Sequence, residues 1–291
     1  MTNKCYKITH STNNKFFFSI LIIISFFILL TDISAGKQSF PFFLDSTKSS
    51  NSELSKIDNY TLKGLYAIYS EDYGKALCYY DSAFSIDSWN LRANLYCSTV
   101  YLWRYLSKEN EEDLDLFIEL SRKTMGLCED ILDKNENNTD AYAVMAANYG
   151  YRAMIYAKSG SFLKAAWAGK HSYEYLQETY KRNPNQIEVF LGMGFSNYAL
   201  GSMPKKFQSI ISIIGMEGDK EKGLEQMNIA AVKGIFTKCE ALFFLSQIYR
   251  FYEKDTEKYN FYLKQLFTEF PSSSLFKKLD EKEIFRLTKE E

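Results

Sequence analysis

From Ile57 to about residue 269 the apolar positions recur every three or four residues, and no useful run alternates with a period of two. That spacing puts apolar side chains on one face of a helix and argues against strands. Polar breaks divide the pattern into paired segments. The spacing predicts helices over 57–70 and 72–86, over 88–107 and 111–133, and over 140–158 and 161–182. Further pairs follow over 186–201 and 220–233, and over 237–253 and 256–269. In the second pair, one helix carries Trp89, Leu95, Val100, Trp103 and Leu106. The other carries Leu114, Phe117, Leu120, Met125, Cys128 and Ile131. The breaks fall where helix-stopping chemistry lies, at Ser159-Gly160, Asn183-Pro184 and Pro271, with Thr139 or Asp140 placed to cap the helix that starts there. Only four prolines occur, which suits long uninterrupted helices.

Small residues add the next layer. Gly64 in the first helix, then Ala76, Tyr80 and Ala83 in the second, let two helices approach closely while the aromatic fills the groove to the next pair. Phe162 and Ala165 repeat the spacing of Tyr73 and Ala76. In this order the residues resemble the tetratricopeptide repeat. The resemblance implies an all-α fold: a right-handed superhelical array of about five antiparallel helix hairpins with an exposed concave face that binds other molecules. From Trp103 to Pro271 the chain is also similar to a group of exported bacterial tetratricopeptide proteins without an established activity. That likeness is carried by Gly150-Tyr151-Arg152-Ala153, Ser161-Phe162-Leu163-Lys164-Ala165, Gly192-Met193-Gly194 with Tyr198, and Lys222-Gly223-Leu224-Glu225-Gln226. It continues in Glu240-Ala241-Leu242-Phe243-Phe244-Leu245. It brings no active site, so no functional residue transfers with it.

The flanks differ from the body. Lys4, Lys7 and Lys15 precede a 15-residue apolar run, Phe16 to Leu30, and Ile33-Ser34-Ala35 then offers a cleavage point before Gly36. Residues 1–35 are read as an export signal, or an uncleaved anchor, which places the body in the periplasm or cell envelope of a bacterium. A linker over 36–56 leads to the array over 57–271, and a charged tail over 272–291 is expected to cap its end. An insertion over 202–218 interrupts the fourth pair. Its stripe of Phe207, Ile210, Ile211 and Ile214, started by Lys205 and Lys206, either packs back over the array or forms a lip for a partner or a membrane surface.

Charge and chemistry then remove function classes. The formal net charge is −1, and removing 1–35 leaves 32 basic against 35 acidic side chains, so nucleic acid is not an expected partner. His171 is the sole histidine beyond the leader, which leaves no His pair for a metal and no conventional triad. Gly215-Met216-Glu217-Gly218-Asp219-Lys220 lacks the spacing and the Ser or Thr of a phosphate loop and reads as a turn, with Asp219 capping the next helix. Cys78, Cys97, Cys128 and Cys239 have no CxxC spacing and read as small buried apolar groups, with a Cys78–Cys97 bridge open in an oxidising compartment. No catalytic residue, metal ligand or cofactor is expected.

What remains is binding. Asn94, Tyr101, Asn148, Tyr149, Tyr156, Asn197 and Tyr198 lie on the first helices of the pairs and are candidates for a concave recognition surface, against the simpler reading that they fill helix interfaces. The expectation is a non-enzymatic exported scaffold that docks a protein or peptide. The alternative is a binding protein for a small apolar ligand or lipid held inside the array.

Overall fold

The structure is a computed structural model describing residues 54–213, 215–278 and 280, without the side chains of Lys206, Ile210 and Ile211. The expected leader and anchor, almost all of the linker, Ile214 and the tail from 281 lie outside the described residues. Among those residues, regular structure is helical throughout, as the periodicity predicts. The helices are α1 (Lys56–Tyr69), α2 (Tyr73–Phe84), α3 (Leu91–Lys108), α4 (Glu111–Lys134), α5 (Thr139–Lys158) and α6 (Phe162–Arg182). A single 3₁₀ turn, Ile187–Val189, leads into α7 (Phe190–Gly201). Then come α8 (Lys205–Ile213), α9 (Lys220–Lys233), α10 (Lys238–Phe251) and α11 (Thr256–Glu269).

Local chemistry sets the starts. Ser55, Asp72, Asn90, Asn110, Asn138, Asp219 and Asp255 each turn a side-chain oxygen onto a first-turn N–H of the helix that follows. Each such cap is worth about 1 kcal/mol. Two of them correct the sequence reading. Asn138, not Thr139 or Asp140, caps α5 through Ala141 N–H at 2.8 Å. Asn90 caps α3, so Trp89 falls in the preceding turn and is 65% exposed instead of joining the helix core. α10 lacks a side-chain cap of its own. Glu188 in the 3₁₀ turn supplies one, accepting from the N–H groups of Ile235, Phe236 and Thr237 and from the Thr237 hydroxyl.

Neighbouring helices pack on one another in order: α1 on α2, α3 on α4, α5 on α6, α7 on α9 across the α8 insertion, and α10 on α11. α1, α3 and α5 also touch in sequence. At the first contact, a Cβ added to Gly64 would lie 2.7 Å from the ring of Tyr80, so the absence of a side chain makes room for the aromatic. Tyr80, Ala76 and Ala83 are fully buried around it.

The chain also returns on itself. Ser273, Leu275 and Phe276 are buried, and the Phe276 ring lies 5.1 Å from Tyr69, 5.5 Å from Trp103 and 4.5 Å from Phe243. Lys278 reaches Glu71 at 2.5 Å, in the turn after α1. The segment after α11 therefore packs among α1, α3 and α10 and joins the two ends of the described fold.

α8 is a short helix within the expected insertion. Phe207 is half-buried, while Ile213 is 84% exposed. The side chains of Ile210, Ile211 and Ile214 lie outside the described residues. Two of the four cysteines, Cys128 and Cys239, are buried, but Cys78 is exposed, against expectation. All four are free thiols.

Candidate functional site

α1, α3, α5, α7 and α10, the leading helices of the packed pairs, all contribute to one cavity of about 980 Å³, and the trailing helix α6 lines it as fully as α5 does. The face of α5 bearing Val144, Ala147 and Tyr151 forms one wall. Leu95 and Tyr96 on α3, Phe195 and Ala199 on α7, and Glu240 and Phe244 on α10 line the same cavity. Residues 140, 144, 147 and 151 follow the three-four spacing of one helix face. Beside them Ala143, Ala146, Gly150 and Ala153 also line the cavity, so α5 presents mostly small residues to it. Met203 and Met216, at either end of the α8 segment, complete the lining on that side.

The mouth is unusually apolar for a surface. Trp89, Leu163 and Trp167 line it at 65%, 89% and 53% exposure. Single exposed apolar residues are ordinary, but three large ones around one cavity mark a contact surface.

The charged groups at the rim are already committed. Arg92 pairs with Asp58 at 2.5 Å, Lys170 pairs with Glu174, and Glu188 is spent on the start of α10. Gln186 donates to Asp140 at 3.1 Å, and Trp89 N–H donates to Asp87 at 2.9 Å.

Glu240 is different. It is 2% exposed, on the cavity lining, directly before the apolar run Ala241-Leu242-Phe243-Phe244-Leu245. The hydroxyl of Tyr151 donates to its Oε2 at 3.1 Å and that of Tyr69 to its Oε1 at 3.3 Å. The Trp103 indole lies close enough to favour the charge without a hydrogen bond of good geometry. Burial pushes the Glu240 carboxyl up to about 7, while Tyr151, Tyr69 and Trp103 pull it back down. Burial and the nearby carboxylate hold both tyrosyl hydroxyls well above their ordinary range, so they stay protonated donors.

This raised value makes stability depend on pH. In the unfolded chain the carboxyl ionises near 4.5, and in the folded chain near 7. The folded state is therefore not penalised below pH 4.5, loses stability as pH rises through 7, and carries the full penalty above it. The difference corresponds to about 3 kcal/mol. Glu240→Gln is accordingly expected to gain on the wild type by about that amount between pH 5 and pH 8.5. Urea unfolding at the two pH values checks this, and a difference that does not change with pH contradicts it.

None of the seven tyrosines and asparagines singled out from the sequence lines the cavity. Asn94 closes the turn before α3 by donating to the carbonyls of Ser88 and Asn90. Asn148 is fully buried and accepts from Ser121 on α4 at 2.5 Å. Tyr149 packs among Trp167, His171 and Tyr175 on α6. Tyr101 and Tyr156 are half-buried under Arg104 and beside Arg152. Asn197 donates to Gln226 on α9 at 2.7 Å, and Tyr198 donates to Glu253 at 2.5 Å. His171 sits beside Glu174 at 3.2 Å and against the Trp167 ring.

The cavity residues are instead their neighbours on the same helices: Ala147 and Tyr151 beside Asn148 and Tyr149, Phe195 and Ala199 beside Asn197 and Tyr198. The missed residue with the clearest signal is Glu240, a lone acid inside a six-residue stretch that is otherwise apolar.

Among the described residues, no group of three or more His, Cys, Asp or Glu is placed to hold a metal ion, and no helix is long and apolar enough to cross a membrane. Burial raises the thiols of Cys97 and Cys128 to about 12 and that of Cys239 well above its ordinary value, which makes them poor nucleophiles. No family model, curated protein or solved structure matches the chain.

Proposed function

We propose that this chain is a non-enzymatic binding protein whose inner groove holds a small, largely apolar ligand of the lipid kind. The observation that carries the reading is the 980 Å³ cavity with its apolar walls and apolar mouth. A space of that size sits at the upper end of ligand pockets and takes on the order of 30 non-hydrogen atoms at ~30 Å³ each. An extended peptide in the same groove would bury amide groups, and each one left unpaired would cost about 1–3 kcal/mol. The walls offer few polar partners, because the rim charges already bond within the protein. An alkyl or isoprenoid chain meets no such penalty and gains about 0.8 kcal/mol for each buried CH₂.

The architecture we infer around this groove is a right-handed superhelical array of the tetratricopeptide kind, about five antiparallel hairpins long. Order-by-order packing of the helices supports it. Export to the periplasm or cell envelope follows from the sequence of 1–35 alone, and N-terminal sequencing of the secreted chain tests it. A sequence starting at Gly36 is the expected result.

A second reading rests on the surface and not on the groove. Trp89, Leu163 and Trp167 could dock a protein partner around the mouth, and the expected scaffold role would then lie outside the cavity.

Native mass spectrometry of the protein purified from its own cells separates the two. The groove reading expects a retained adduct of a few hundred daltons that organic solvent removes. A bare chain mass, together with recovery of one stoichiometric protein partner, favours the surface instead.

A further inference from the structure

Among the acids on the cavity lining Glu240 is the buried one, and its hydrogen-bond partners are two neutral hydroxyls. Every group that stabilises its charge is a neutral donor. The Tyr151 and Tyr69 hydroxyls stand at 3.1 Å and 3.3 Å, whereas an O–H bonded to a carboxylate ordinarily closes to about 2.5–2.7 Å. The same fold shows the tighter arrangement elsewhere: Glu253 takes the Tyr198 hydroxyl at 2.5 Å and the Lys220 ammonium at 2.8 Å. Glu240 is thus loosely held, with acceptor capacity to spare, and it stands on the cavity lining. The two cations on the cavity lining, Arg92 and Lys170, are paired with Asp58 and Glu174 and leave no internal counter-ion. The titratable groups around it are Tyr69 from α1, Tyr96 from α3, Tyr151 from α5 and Cys239 on its own helix, all neutral, with Glu188 on the same lining.

We propose that the ligand is a long-chain amine, its protonated head seated on the Glu240 carboxylate between Tyr69 and Tyr151 and its tail running past Ala147 and Phe195 toward the mouth. The proposal rests on the groove reading above and adds the chemistry of the head group. A buried carboxylate that meets an ammonium gains the counter-ion the protein withholds. A fatty acid would bring a second negative charge, and an alcohol would bring a hydrogen bond without a charge. The preference for amine follows the ionised fraction of Glu240, so it grows as pH rises through about 7.

Calorimetric titration of the full chain with decylamine, 1-decanol and decanoate, at pH 6 and pH 8.5, tests this. A charge-assisted contact predicts that decylamine binds about ten- to a hundredfold more tightly than 1-decanol at pH 8.5. Decanoate should bind most weakly, and the amine advantage should shrink at pH 6. In Glu240→Gln the amine advantage should fall to less than about threefold, since no formal charge remains to be met. Equal binding of the three probes by the wild type, or tightest binding of decanoate, overturns the amine assignment while leaving the groove reading standing. Binding of none of them removes both. An undiminished amine preference in Glu240→Gln places the anchor elsewhere. Should that variant fail to fold, the wild-type profile decides, and an amine advantage that stays flat between pH 6 and pH 8.5 overturns the proposal.

Discussion

Ala147→Trp is expected to abolish ligand uptake, lowering affinity more than about a hundredfold, while Tm changes by no more than about 3 °C. Ala147 is half-buried because its methyl faces open cavity, between Val144 and Tyr151 on α5 and on a lining shared with Phe195 and Glu240. An indole placed there enters empty space and not a neighbouring side chain, which spares the overpacking penalty of about 1–3 kcal/mol. It would take up cavity volume one helical turn from Tyr151, whose hydroxyl bonds Glu240. The readout is a titration of 1-decanol into wild type and variant, with thermal unfolding alongside. Uptake unchanged in a folded variant would show that the ligand does not pass this point.

Gly223→Val should have the largest effect on stability, about 2–4 kcal/mol, for the opposite reason: there is no space to enter. α7 and α9 cross with their backbones in contact. A Cβ on Gly223 would meet the backbone of Tyr198 and lie 2.7 Å from the Gly194 carbonyl oxygen. Gly194 faces the same crossing, where an added Cβ would lie 2.7 Å from the Gly223 carbonyl oxygen. Backbone cannot move aside as a side-chain tip can, so the two helices must separate. For a domain of this size the loss corresponds to a Tm about 6–12 °C lower. The effect reaches the groove, because α7 carries Phe195 and Ala199 on its wall. Gly74 in α2 is the control, since a Cβ there meets nothing within 4 Å. Gly74→Ala should raise stability by about 0.4–1 kcal/mol by narrowing the unfolded ensemble. Thermal melts of the two variants with the wild type check both signs.

The helices were legible because their apolar spacing is regular and their ends carry Ser, Asn, Asp, Gly or Pro. The close approach at Gly64 and Tyr80 was legible for a related reason, since a glycine facing an aromatic across a turn has few other uses. The groove was not legible. Its wall on α5 is mostly alanine, glycine and valine around Tyr151, and a small apolar residue reads the same whether it faces a packed neighbour or an empty space. The candidates taken from the sequence sit on helices that line the groove, but on faces that do not line it. Asn148 lies one position from Ala147, and Tyr149 two from Tyr151, a rotation of about 100° or 200° around the helix. From the sequence Glu240 stood out only as part of the family likeness, because its partners, Tyr69 and Tyr151, lie 171 and 89 residues away. The return of Phe276 to Tyr69 escaped for the same reason. Local patterning carries no record of which distant helices meet.

The central claim is that the inner groove takes an apolar ligand. Calorimetric titration of 1-decanol into the full chain at two temperatures tests it most directly. Burial of an alkyl chain against apolar walls predicts saturable one-to-one binding whose enthalpy becomes more favourable on warming, a negative heat-capacity change. A titration that shows no saturable binding at either temperature, with the protein folded, would contradict it.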